Sequence, residues 1–112
     1  MASILNTIKK MIGFEDEYTQ FDTDLIIFIN SAFSTLTQVG VGPEEGFKIR
    51  DETAEWDDFL DADDRLEFVK EYVYLKVRSI FDPPSSSSVL DAYKSRMDEL
   101  IWRINVSVDP GN

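Results

Sequence analysis

The sequence predicts a mainly α fold, a small bundle of about four helices, with room for one short β-hairpin between the second and third. Three observations point there. Four segments place apolar residues at steps of three and four, the spacing of a helix that buries one face. Gly13, the turn Gly40 to Pro43, and Pro83-Pro84 followed by Ser85 to Ser88 separate them with residues that stop helices. Only one short stretch alternates apolar and polar residues as a strand does.

The first helix spans Ser3 to Ile12, with Ile4, Leu5, Ile8, Met11 and Ile12 as its apolar positions. Ser3 suits the N-cap, Lys9 and Lys10 suit the last turn, and Gly13 is a natural stop. Its apolar face could lie on a membrane surface. Two lysines are a thin basic complement and the acids Glu15 to Glu17 oppose anionic lipid, so packing on the rest of the domain or on a neighbouring subunit is the expectation. The second helix spans Thr23 to Val39, capped by Asp22 or Thr23, with Leu25, Phe28, Ile29, Ala32, Phe33 and Leu36 in one stripe.

Between Glu44 and Leu60 the pattern is less regular. Phe47-Lys48-Ile49 alternates, and Arg50-Asp51-Glu52 could turn the chain back toward Ala54-Glu55-Trp56, giving the hairpin. Trp56 and Phe59-Leu60 are expected to anchor this segment on the helices.

The third helix spans Asp63 to Phe81. Its apolar residues form a band too wide for one face, so it is either central in the core or shared with another subunit. Pro83-Pro84 forbid its continuation. The last helix spans Val89 to Asn105, with Ser88 as cap and Leu90, Tyr93, Met97, Leu100, Ile101 and Ile104 as its stripe. Residues 1–112 are expected to form a single domain with a short irregular tail at 106–112, which Pro110-Gly111 keep from regular structure.

Composition narrows the function. Apolar residues make up 43 % of the 112 residues and aromatics 12 %, enough for a real core. No apolar run is long enough to span a membrane, and the start lacks a secretory signal pattern. Cysteine and histidine are both absent, which removes thiolate chemistry, the usual zinc and copper ligands, and the common nucleophile triads. The net charge of −11 opposes ordinary duplex binding.

The acids Asp57, Asp58, Asp61, Asp63 and Asp64 invite a calcium reading. No glycine lies among them, and no glutamate stands at the twelfth position of a calcium loop counted from Asp57, Asp58 or Asp61. A solvated, helix-capping face is the better reading. Nor do these acids have the apolar surroundings that would raise a pKa for acid–base work. Ser85 to Ser88 have no base placed by any motif, and single glycines form no phosphate loop. Tyr72, Tyr74 and Trp102-Arg103 lack the basic groove of a single-strand binder. No enzyme activity, metal or cofactor is expected.

An ordered set of motifs adds a resemblance. Asp22-Thr23-Asp24-Leu25-Ile26 leads into a helix with Ile29-Asn30-Ser31, then Gln38-Val39-Gly40-Val41-Gly42-Pro43 and Gly46-Phe47. Trp56-Asp57-Asp58-Phe59-Leu60 follows, then the run from Val69 to Arg78, Phe81-Asp82-Pro83-Pro84, and Glu99-Leu100-Ile101-Trp102-Arg103. From Ile4 to Val106 this resembles the head–tail connector (adaptor, head-completion) proteins of long-tailed double-stranded-DNA phages. The resemblance implies a helical structural subunit without catalytic residues. It implies a ring of copies, typically dodecameric, which docks under the portal protein, extends the DNA channel and meets the stopper or tail-completion protein. It also implies residence at the head–tail interface of the virion, and in the host cytoplasm before assembly.

Within that frame the wide apolar band makes Phe68, Tyr72, Leu75 and Phe81, with Tyr93 and Trp102 of the last helix, the candidate contacts to other subunits. The acids Asp57, Asp58, Asp61, Asp63 and Asp64 are the candidate lining of a channel that DNA traverses without sticking. The runner-up is a small acidic helical adaptor or inhibitor that binds one partner; a carboxylate-dependent metal enzyme is a third reading.

Overall fold

The computed structural model describes residues 3–60 and 65–108, with side chains to residue 105. Among them are the helices α1 (Ile4–Ile12), α2 (Asp22–Gln38), α3 (Trp56–Phe59, a single turn), α4 (Arg65–Phe81) and α5 (Ser87–Val108). The mainly helical expectation therefore holds, with four substantial helices.

The start and end of α1 follow the sequence closely. Ser3 Oγ accepts from the Asn6 N–H at 3.2 Å. Gly13 closes the helix at φ 115, a left-handed conformation that costs glycine little, and the Phe14 N–H returns to Lys9 O at 2.8 Å. Ile4, Leu5 and Ile8 are buried, so this face packs inside the protein.

α2 departs from its expected cap. Phe21 holds the N-cap position with no side-chain hydrogen bond. Asp22, one of the two expected caps beside Thr23, instead faces the ammonium of Lys9, Oδ1 to Nζ at 3.0 Å. A buried cation offers that carboxylate more than a backbone N–H would. At the other end the Val41 N–H bonds back to Leu36 O at 3.0 Å and closes the helix.

The hairpin does not form; among the described residues there is no strand. Both of its arms find other partners. The Ile49 N–H and C=O are both taken by the side chain of Asn30, at 2.7 and 3.0 Å. Ala54 O accepts from the Ile4 N–H at 3.0 Å, within an isolated antiparallel bridge between Ser3 and Glu55. The chain then turns into α3, where the Asp58 carboxylate accepts from the Glu55 N–H at 2.8 Å. A buried aromatic group holds this loop in place. Phe33 of α2 meets Phe47 and Phe59 at ring separations of 5.0 and 4.6 Å, and Trp56 at 6.2 Å. Gly42 lies against the same group. Its φ is +86, and a Cβ there would run into the Phe59 ring.

α4 is the central helix. It packs on α1, α2 and α5. Leu66, Val69, Val73 and Val77 share one side, while Phe68, Glu71, Tyr72 and Leu75 share the other. The second side meets α5: Arg96 donates to Glu71 through Nε at 2.6 Å and Nη2 at 2.9 Å. The wide apolar band thus reflects a helix covered on two sides by its own chain.

α5 begins at Ser87, two residues before the expected start, and the Val89 N–H reaches Ser86 Oγ at 3.4 Å in place of a Ser88 cap. It continues to Val108, so residues 106–108 are helical where an irregular tail was expected. No proline or glycine lies between Ser87 and Val108 to stop the helix earlier. The expected start of α4 at Asp63 and the tail beyond Val108 lie outside the described residues.

Candidate functional site

Among the described residues no three acidic side chains converge as a metal site would require, and no helix is long and apolar enough to cross a membrane.

The six candidate contact residues fall into three groups. Tyr72 and Leu75 are buried within the subunit. Burial also pushes the Tyr72 hydroxyl above its ordinary pKa, against a hydrogen bond with Thr35 that lowers it, while the charge of Asp98 raises it a little further. Phe68, Phe81 and Tyr93 are half-buried against the core. Phe81 stands in an aromatic cluster with Phe14 and Phe21, at 5.9 and 5.2 Å. Trp102 stands apart, 65 % exposed on α5.

Of the candidate channel acids, Asp57 and Asp58 are exposed at α3, with Trp56 and Phe59 of the same turn buried beneath. Asp61, Asp63 and Asp64 lie outside the described residues. The other exposed acids include Glu44, Glu45, Asp51 and Glu52. Hydrogen bonds from the Thr53 hydroxyl and N–H hold the Asp51 carboxyl below its ordinary pKa.

A groove of about 370 Å³ runs over α4 between α2 and α5, lined by Thr35, Tyr72, Lys76, Lys94, Met97 and Ile101, with Asp98 at its rim. Above neutral floor residues it places Lys76, Lys94 and the Asp98 carboxylate.

Sequence reasoning missed two features. Lys9 is 1 % exposed, paired with Asp22 and donating to Asp16 O at 2.8 Å. Its position one residue after Ile8, on the buried side of α1, was the available signal. Ile27 of α2 is 58 % exposed, although it sits in an apolar run where burial is the natural reading.

A model of the phage connector protein family matches residues 4–111. No curated protein and no solved structure gives a match.

Proposed function

The chain belongs to the phage connector protein family, and from that membership we propose that it is a structural subunit of the phage neck. Copies of it form a ring, dodecameric as the resemblance implies, that docks on the portal protein. The ring prolongs the DNA channel and offers its far side to the stopper or tail-completion protein. The protein acts in the virion at the head–tail interface, after waiting in the host cytoplasm. The observation that carries this reading is the family match over nearly the whole chain.

Two further features support it. The stretch from Glu44 to Glu67 carries eleven acids against three bases, a charge that repels phosphate and suits a conduit. The large net charge also opposes self-association of free copies, so the ring forms on the portal and is favoured by salt. Electron microscopy of the chain mixed with its cognate portal tests the proposal. A ring seated on the portal is expected. Failure to form any ring with portal present, from low to high salt, would overturn it.

A further inference from the structure

We infer that neighbouring copies join edge to edge, the outer face of α2 on one copy seated on the outer face of α5 on the next. This rests on the ring reading above and names the surfaces that close it.

The two most exposed large apolar side chains of the described residues are Trp102 at 65 % and Ile27 at 58 %. Each stands in a stripe at helical spacing. On α2, Ile27, Ser31, Ser34 and Gln38 follow one another at steps of four, three and four, and all are exposed. On α5, Asp91, Ser95, Asp98, Trp102 and Asn105 do the same. α2 and α5 each pack on α4 through their other faces, with a groove between them that both line, so the two stripes are separate outward patches on different helices. A closed ring needs such a pair, two different patches that meet head to tail.

Charge favours this pairing over like-with-like. From Leu25 to Pro43 the chain carries no charged residue, in a protein of net charge −11. The α5 stripe carries Asp91 and Asp98. Two α5 stripes face to face would set carboxylates against carboxylates. A neutral α2 stripe avoids this and supplies donors, the hydroxyls of Ser31 and Ser34 and the amide of Gln38, to those carboxylates. The same pairing covers both Ile27 and Trp102, whereas a symmetric contact through either stripe leaves the other apolar residue in water.

The chain has no cysteine, so introduced thiols report single positions. Ser34→Cys and Ser95→Cys place one on each stripe, seven residues from Ile27 and Trp102 respectively. The two variants are mixed, assembled with portal and treated with a flexible bismaleimide, with the ring checked separately by electron microscopy. Cross-linked pairs in the mixture, and none from either variant alone, are expected. Loss of the ring in Ile27→Lys and in Trp102→Ala, with unchanged circular dichroism and a normal ring in Met11→Ala, is the second expected result. Rings that form while the mixture gives no cross-link, or while either variant cross-links to itself, would overturn the edge assignment and leave the ring intact. No ring from the unaltered chain would overturn the ring reading and this inference together.

Discussion

Asn30 closes both backbone groups of Ile49 with one side chain, accepting from its N–H at 2.7 Å and donating to its C=O at 3.0 Å. This amide stands in for a neighbouring strand and ties the loop after α2 to the middle of that helix. Ile49 is buried, so loss of the amide strands two polar groups away from water. Asn30→Ala should therefore destabilise the fold by about 1–3 kcal/mol. Asn30→Asp, which can still accept but no longer donate, should fall between. Chemical denaturation of the three proteins checks the order.

The Lys9–Asp22 pair is asymmetric, with the lysine 1 % and the aspartate 24 % exposed. Lys9→Ala leaves a partly buried carboxylate alone and a gap beside it, at a cost of roughly 3 kcal/mol, the low end for a broken buried pair because Asp22 keeps some water. Lys9→Met with Asp22→Asn removes both charges and keeps the volume, and should recover most of that loss. Thermal melting of the single and double variants separates the charge from the packing.

Much of this was legible in the sequence, and the misses share a cause. Ser3 and Gly13 bound α1 as read, because caps act locally. The width of the α4 band was also visible, though not whether α5 or another copy covered its second side; that depends on where Pro83-Pro84 send the chain. The hairpin failed because strand pairing is a contest among partners. Asn30 stands 19 residues before Ile49, and no local pattern announces it. Asp22 lost its capping role for the same reason, to a lysine on another helix.

Replacing Pro83 and Pro84 with alanine should let α4 run on toward the serines. At present the Arg78 guanidinium donates to Asp82 O at 2.6 Å and secures the stop. The double variant should keep its helical circular dichroism and lose binding to portal, because α5 then leaves α4 at a different angle. Portal capture by the immobilised variant is the measurement, and undiminished capture would count against the geometric role.

Acid should loosen α5. Glu99 is held below the ordinary glutamate value of 4.5, first by its hydrogen bond from Arg103 and then by Arg96. Its folded-state pKa is depressed, so its contribution is complete above the unfolded value and is lost as pH falls through the lowered one. The Asp51 carboxyl, lowered by Thr53, acts in the same sense. Thermal stability should be flat from neutrality to about pH 5 and decline below that. Glu99→Gln should remove part of the decline.

The free protein should bind duplex DNA more weakly than the ordinary non-specific range of about 10⁻⁴ to 10⁻⁶ M at physiological salt. Changing Asp57, Asp58, Asp61, Asp63 and Asp64 to asparagine should preserve the fold. Asp58 caps α3 through an oxygen that asparagine also has. If these acids line the channel as proposed, virions carrying the altered ring should eject DNA more slowly. Ejection time courses, with binding measured alongside, test both halves; normal ejection would leave the acids as a solubility feature.

The central place of α4 sets an order of undocking. α5 rests chiefly on α4, gripped by the Arg96–Glu71 fork, while α1, α2 and α4 hold one another. The outermost helix is therefore the leaf that opens first, and its amides should exchange with solvent ahead of those in α2 and α4. A neighbour seated on that leaf would press it shut, so each copy added to a growing ring would stiffen the copy before it.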